Sequence, residues 1–82
     1  MYYVYILRNQ EDMSLYKGWT SDLRKRMQKH VQKSTRTTRV REGEYELIWY
    51  CAFLTKYQAI RFEKYLKSGS GRAFAKKRLI NE

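Results

Sequence analysis

Two runs of β-branched and aromatic residues, with an amphipathic segment between them, constrain the fold of this chain more than any other feature. Residues 2–8, YYVYILR, have no helical spacing and predict a strand with little exposed face. Residues 46–54, ELIWYCAFL, are apolar on both faces and predict a covered strand at the centre of a sheet. LYKGW at 15–19 predicts a short strand that pairs back on the first. The predicted sheet is small and antiparallel, with about three strands.

An amphipathic segment follows the second strand and predicts a helix over residues 21–33. Ser21 is placed to cap its first free amides. Leu23, Met27 and Val31 recur at every fourth position, which predicts a buried stripe along one side of this helix.

Two further helices are predicted towards the end of the sequence. Thr55 and Gln58 match a capping box, T-x-x-Q, at the start of a helix that runs to about residue 67. The glycines of SGSG at 68–71 predict a helix stop and a turn, and RAFAKKRLI at 72–80 predicts a short basic helix. The predicted order is β-β-α-β-α-α, an α+β domain with helices packed on a small sheet.

The net charge indicates a polyanionic partner. Eighteen Lys and Arg residues oppose eight Asp and Glu residues and give a formal charge of +10. The 82 residues can form only one core, so residues 1–82 are predicted to be a single domain. A field that strong on one small domain favours nucleic acid as the partner, although a solvated basic surface is the alternative reading. A membrane fits less well, because no segment approaches the roughly 20 apolar residues of a spanning helix.

Cysteine content and the N-terminal residues exclude further classes of protein. Cys51 is the single cysteine, which excludes an intramolecular disulfide and a Cys-rich zinc site. MYYVYILRN at 1–9 does not have the pattern of a signal peptide, so a cytoplasmic location is expected.

A basic segment, STRTTRVREGE at 34–44, has no periodicity. Either a solvated connection or an arm that grips phosphates would explain its three arginines. Five cations are predicted to contact nucleic acid: Lys17, Arg36, Arg39, Arg41 and Arg72.

Glu63 breaks the apolar pattern of its predicted helix. At about 100° per residue it falls within about 60° of the centre of the face formed by Ala59, Phe62 and Leu66. A carboxylate on that side must lie at a cleft edge, pair with a cation or bind a metal, because burying it alone is costly. A salt bridge is therefore the alternative to a functional role.

Four more residues stand out beside Glu63, together with one glycine. Arg26 and His30 lie one turn apart on the flank of the predicted stripe, and His30 fits either a structural or a functional position. Gly18 lies inside the second strand, where glycine often marks the close approach of a backbone or ligand. Tyr5 and Tyr16 lie on paired strands and could direct their hydroxyls into one cleft with the others.

Taken together, these residues resemble the GIY-YIG nuclease family. Tyr3-Val4-Tyr5 resembles the first family motif and Tyr16-Lys17-Gly18 the second. A helix with Arg and His and then a helix with Glu follow in the same order, so the resemblance covers nearly the whole chain. It extends to small stand-alone bacterial proteins similar to the nuclease part of the excision-repair C subunit, through YVYIL, LYKGWTSDLRKRMQKH, RFEKYLKSGSG and KKRLI.

The resemblance implies a metal-dependent endonuclease that hydrolyses phosphodiester bonds in DNA, in repair or recombination. A nucleic-acid-binding module that keeps the fold without activity is the alternative, and a purely structural interaction protein is a third class. Many relatives carry a separate targeting domain, whereas residues 1–82 are predicted to form the nuclease-like domain alone. Specificity is therefore expected from DNA shape, a protein partner or self-association. The implied site residues are the motif tyrosines Tyr5 and Tyr16, the motif glycine Gly18, Arg26, His30 and the metal-binding Glu63.

The chemistry of these side chains suits the implied reaction. Glu63 would hold Mg²⁺ or Mn²⁺, which use few protein carboxylates and keep several waters. Arg26 would clamp the phosphate with its planar fork of donors. Tyr5 or Tyr16 would accept a proton from the attacking water, which requires cationic surroundings that lower the phenol pKa from about 10. His30 could orient that tyrosine or share its role.

Overall fold

The sheet is three-stranded and antiparallel, as predicted. The computed structural model describes residues 1–28 and 45–80. Its strands are β1 (Tyr2–Asn9), β2 (Leu15–Thr20) and β3 (Tyr45–Phe53). Helices follow β2 and β3, so the order of elements agrees with the predicted α+β fold.

The strand order is β2-β1-β3, and the prediction that the third strand is central and covered on both sides is therefore wrong. Tyr5 of β1 faces Gly18 on one neighbour and Tyr50 on the other, so β1 takes the central place. All side chains from Val4 to Leu7 are buried, whereas Tyr50 of β3 remains 53% exposed. Apolar side chains are common on protein surfaces, so the composition of β3 does not require a cover on both faces.

The helix after β2, which we call α1, begins at residue 23 and is described to residue 28. Asp22 caps it, rather than the predicted Ser21. A carboxylate oxygen of Asp22 accepts a hydrogen bond from the Lys25 amide at 3.1 Å, and its carbonyl accepts one from the Arg26 amide at 3.1 Å. Aspartate and serine are equally good N-caps, so only the backbone path decides between these two neighbours.

Helix α2 (Lys56–Lys67) starts with the predicted capping box. The Thr55 hydroxyl accepts a hydrogen bond from the Gln58 amide at 3.2 Å, and the Gln58 side chain accepts one from the Thr55 amide at 3.3 Å. This reciprocal pair satisfies amides that have no partner within the helix. The start of α2 is therefore fixed by local sequence.

Ser68 ends α2 and also starts α3 (Gly69–Phe74), with no loop between the two helices. Its amide donates to the Tyr65 carbonyl at 3.0 Å, and its hydroxyl accepts from the Gly71 amide at 3.1 Å. The predicted helix stop is confirmed, but the predicted turn is wrong because both glycines lie inside the next helix. At position 71 a Cβ atom would overlap the Tyr65 carbonyl oxygen, so this corner requires glycine.

The core lies between one face of the sheet and the helices that follow β3. Its buried members are Val4, Ile6, Ala59, Leu66 and Ala75. A π-helical segment, Ala75–Leu79, continues α3 and together with it accounts for the predicted basic helix at 72–80. None of the described helices is long and apolar enough to cross a lipid bilayer.

The other face of the sheet carries α1. Leu23 and Met27 are half-buried and line a cleft with Tyr3 and Tyr50. Because side chains alternate along a strand, this cleft lies opposite the main core. Val31, the last member of the predicted stripe, lies outside the described residues.

Candidate active site

Tyr5 and Gly18 are directly paired across β1 and β2, and the tyrosine ring lies against the glycine. A Cβ atom at position 18 would come within 2.6 Å of the Tyr5 hydroxyl oxygen. Such a distance is too short for two non-bonded atoms, so only glycine leaves room for the ring in this position. Tyr5 itself is 1% exposed. The close approach anticipated at Gly18 is thus that of the partner tyrosine.

Tyr16 lies on the same face of β2 as Gly18, because the two residues are separated by one position in the strand. Its ring centroid is 6.3 Å from that of Tyr5, with the rings tilted by 55°. A side-chain hydrogen bond links the two phenols, and it raises the pKa of Tyr5, as expected when Tyr5 is the donor. Unlike Tyr5, Tyr16 is 42% exposed, so solvent and ligands can reach it.

The environment of Tyr5 brings Arg26 and Glu63 into the same site. Burial raises the pKa of Tyr5 to about 12, and the neighbouring Tyr16 adds to the shift, while the positive charge of Arg26 opposes it. The negative charge of Glu63 raises the pKa further. Side chains from β2, α1 and α2 therefore act on one phenol of β1.

The pKa of Tyr5 differs from the sequence-based expectation. Cationic surroundings were expected to lower the pKa of the tyrosine that serves as base. Arg26 acts in that direction, but the loss of solvent around Tyr5 outweighs it. For Tyr5 the expected direction is therefore wrong.

Glu63 is withdrawn from solvent and paired with a lysine one helical turn later. Its side chain is 12% exposed, and a carboxylate oxygen lies 2.7 Å from the Lys67 Nζ, whose side chain is 56% exposed. The hydrogen bond to Glu63 raises the pKa of Lys67. The salt bridge that the sequence left open as an alternative is thus present. It provides the positive charge that a carboxylate at this depth requires.

Lys67 is a residue that the sequence analysis missed. The signal was available, because Glu followed by Lys four positions later is a favourable pair on a helix. The same lysine also acts on the predicted nucleic-acid-binding residues. Burial lowers the pKa of Lys17, and the positive charges of Arg72 and Lys67 lower it further. Lys17, Lys67 and Arg72 therefore form one positively charged cluster next to Glu63.

Four predicted site residues lie outside the described residues: His30, Arg36, Arg39 and Arg41. The structure brings together Tyr5, Tyr16, Gly18, Arg26 and Glu63, with Lys17 and Arg72 beside them.

Glu63 is the carboxylate that would bind a divalent ion at this site. Within residues 1–28 and 45–80 no group of three or more His, Cys, Asp or Glu side chains could hold a metal. Glu63 nevertheless fits an ion that binds through few carboxylates and keeps most of its waters, as Mg²⁺ does. Its carboxylate already attracts a cation in this structure, namely the Lys67 ammonium.

Comparison with known proteins supports the resemblance of the sequence motifs. A family model described as the GIY-YIG catalytic domain matches residues 1–78. UPF0213 protein OB0043 of Oceanobacillus iheyensis is 40% identical over 67 residues, which cover 80% of this chain and 76% of that protein. UPF0213 protein CPE1444 of Clostridium perfringens is 41% identical over 68 residues, which cover 82% of this chain and 71% of that protein.

A solved structure resembles the fold as well. The solution NMR structure of UPF0213 protein BH0048 from Bacillus halodurans aligns with a TM-score of 0.61 and 30% sequence identity. The alignment covers 99% of this chain and 88% of that one.

Proposed function

This chain belongs to the GIY-YIG family, and we propose that it is a metal-dependent endonuclease that hydrolyses phosphodiester bonds in DNA, in repair or recombination. The observation that carries the proposal is the placement of Glu63. Its carboxylate is almost withdrawn from solvent, yet it acts on Tyr5 together with Arg26 and lies beside a positively charged cluster. Carboxylate, guanidinium and phenol side chains at one place are suited to phosphodiester hydrolysis.

Glu63 would hold Mg²⁺ or Mn²⁺. When bound, the ion would stabilise negative charge on the phosphate and on the departing oxygen. Lys67 would have to release the carboxylate for this, and its exposed side chain leaves it free to turn towards an incoming phosphate. We therefore assign Lys67 a place in the site beside Glu63.

Tyr16 is the better candidate for the general base. Tyr5 keeps its proton at neutral pH, because its pKa is raised to about 12. It is also enclosed, whereas Tyr16 is accessible to a water molecule. The hydroxyl of Tyr5 would support Tyr16 by donating a hydrogen bond to its oxygen, which stabilises the phenolate form that accepts a proton from the attacking water.

Arg26 would bind a non-bridging oxygen of the phosphate. It is half-buried on α1, and its charge acts on the Tyr5 hydroxyl. A guanidinium can give two parallel hydrogen bonds to a phosphate and stays charged at all relevant pH values. His30 remains a candidate from the sequence alone.

A nucleic-acid-binding module without activity is the second candidate function. The Glu63–Lys67 ion pair favours it, since it gives the carboxylate a structural explanation that needs no metal. Metal-dependent cutting distinguishes the two functions.

The test is an assay with labelled single-stranded, duplex and branched DNA, and with RNA, in the presence of Mg²⁺, Mn²⁺ or a chelator. Wild-type protein should cut only with metal. Glu63→Ala and Arg26→Ala should each lose about 10²-fold or more of the rate, because each removes stabilisation of transition-state charge. Glu63→Ala should still bind DNA, since it removes a negative charge from a basic surface.

Two matched controls accompany this assay. Glu11→Ala removes an exposed carboxylate from the β1–β2 loop, and Arg24→Ala removes an exposed cation from α1. Both should cut at nearly the wild-type rate. Equal cutting by wild-type protein and Glu63→Ala would contradict the metal site, and binding without cutting on every substrate would identify the protein as a binding module.

A further inference from the structure

A cavity outside the candidate active site lies between the β1–β2 hairpin and the helices that follow α2. We call it the basic pocket, and its volume is about 420 Å³. Within residues 1–28 and 45–80, the cations that line it are Arg8, Lys17, Arg72 and Lys76. The remaining lining residues are apolar, including Leu15 from the hairpin and Ile80 after the π-helical segment.

The charge of the basic pocket favours an anionic ligand. Among the residues that the structure describes, its lining contains no carboxylate, although Arg8 also lies 3.7 Å from Glu46 on the neighbouring strand. The apolar surface between the cations favours a ligand that also has an uncharged, flat or apolar part. Inorganic anions lack such a part, whereas nucleotides combine a phosphate with a base.

The basic pocket adjoins the candidate active site through Lys67, which pairs with Glu63 and whose charge acts on Lys17. Lys17 lines the pocket on the face of β2 opposite to Tyr16 and Gly18. Arg72 lines the pocket too, and its charge and that of Lys67 both act on Lys17. A polynucleotide whose phosphate lies at Glu63 would therefore extend past Lys17 into the pocket.

We propose that the basic pocket binds one unpaired nucleotide of the nucleic acid on which the candidate active site acts, and so selects substrates that contain unpaired bases. The proposal rests on the proposed function, because it takes nucleic acid as the ligand of that site. The cations hold the phosphate of this nucleotide, and the apolar surface of Leu15 and Ile80 receives its base.

Size and chemistry select an unpaired nucleotide over a base pair. Pockets that hold small organic ligands have volumes of about 300–1,000 Å³, and this pocket lies in that range. A stacked and paired base cannot enter a pocket of this kind without leaving the duplex, which costs the free energy of stacking and pairing. A bulged or single-stranded base is already free, so it binds without that cost.

The experiment measures binding with metal chelated, so that no cutting occurs. The probes are fluorescein-labelled oligothymidylate, a blunt DNA duplex and the same duplex with a one-nucleotide bulge, measured by fluorescence anisotropy. Wild-type protein should bind the bulged duplex about tenfold more tightly than the blunt duplex, the effect expected for one base contact. Oligothymidylate should also bind more tightly than the blunt duplex.

Two variants test the basic pocket, each with a control of the same chemistry. Leu15→Glu and Lys76→Glu place a carboxylate in the pocket and should abolish the preference for unpaired bases. The control for Leu15→Glu is Leu54→Glu, which changes a leucine that is 78% exposed and does not line the pocket. The control for Lys76→Glu is Lys77→Glu, which reverses the charge of the next residue, also outside the pocket lining. Both controls should keep the preference, even where added negative charge weakens binding to all probes.

Equal affinity of the wild-type protein for bulged and blunt duplexes would overturn the proposal. The same loss of preference in pocket and control variants, with melting temperatures unchanged, would overturn it as well. Neither result depends on cutting. A protein that cuts DNA without preferring unpaired bases keeps the proposed function and loses only the basic pocket, whereas preference without cutting supports the pocket in a binding module.

Discussion

The candidate active site and the basic pocket adjoin through Lys67, but they are built from side chains in different environments. In the site, Tyr5 is enclosed and the carboxylate of Glu63 is almost withdrawn from solvent. In the pocket, Arg72 and Lys76 are exposed. Enclosed groups depend on particular neighbours, while exposed charges are screened by water and salt and can replace one another in part. Replacing one side chain by a neutral one should therefore have a large effect in the site and a graded effect in the pocket.

The largest expected effect on stability in the site is at Gly18. Gly18→Ala should lower the free energy of unfolding by about 1–3 kcal/mol, because the added methyl group displaces the Tyr5 ring from a packed position. Urea denaturation measures the change. The same substitution should also slow cutting, since Tyr5 would no longer align with Tyr16.

Gly69 is the matched control for this substitution. A Cβ atom there would meet no heavy atom of the described residues within 4 Å, and the residue lies in α3. Gly69→Ala should leave stability unchanged or raise it by up to about 1 kcal/mol, because alanine favours helix and restricts the unfolded chain. A loss of stability at Gly69 as large as at Gly18 would show that the Tyr5 contact is not the cause.

An effect of similar size is expected from the alkaline titration of Tyr5. Because burial raises its pKa to about 12, the folded state holds the proton more tightly than the unfolded chain, where the pKa is about 10. The resulting stabilisation of about 2–3 kcal/mol is complete below about pH 10 and is lost as the pH rises through about 12. Tyr5→Phe should remove this component of the pH dependence, as measured by denaturation at several pH values.

Tyr57→Phe serves as the comparison, because Tyr57 is 67% exposed on α2. It should retain the alkaline loss of stability seen in the wild-type protein. If Tyr5→Phe also loses stability at alkaline pH to the same extent, the titration of the buried Tyr5 hydroxyl is not the cause of that loss.

The smallest of these effects concerns Lys67, which lies where the site meets the positively charged cluster. Lys67→Met removes the ammonium that competes with a metal ion for Glu63, so Mn²⁺ should bind more tightly. Since the lysine side chain is largely exposed, we expect a change of about threefold to tenfold. Electron paramagnetic resonance of free Mn²⁺ measures the affinity directly.

Lys64→Met removes an exposed cation from the same helix and should change Mn²⁺ affinity much less. Glu63→Gln should abolish the site. Identical Mn²⁺ binding by wild-type protein and Glu63→Gln would show that Glu63 does not bind the ion. Its carboxylate would then have a structural role, the ion pair with Lys67.

Local sequence predicted those parts of the fold that local interactions determine. The capping box of Thr55 and Gln58 fixes the start of α2, and the alternation in the hairpin places Tyr16 and Gly18 on one face. The position of Glu63 on the apolar side of α2 followed from helical spacing alone.

Features that depend on packing between distant segments could not be predicted in this way. Both outer strands contain apolar residues, so the central place of β1 is decided by pairing and not by composition. The raised pKa of Tyr5 depends on how completely its neighbours exclude water. The basic pocket needs the hairpin and the end of the chain to meet, and their sequences share no pattern that signals this contact.

The direct joint at Ser68 has a consequence for where a substrate is cut. Since α2 and α3 meet at Ser68 without a loop, the angle between the two helices is fixed. Glu63 on α2 and Arg72 on α3 are therefore held at a fixed separation. A strand that reaches from the carboxylate to the basic pocket must cross a constant distance. The broken bond should therefore lie a constant number of nucleotides from the unpaired base, whatever the sequence of the substrate. Inserting one residue at the α2–α3 junction should shift the cutting position or produce cuts at several neighbouring positions.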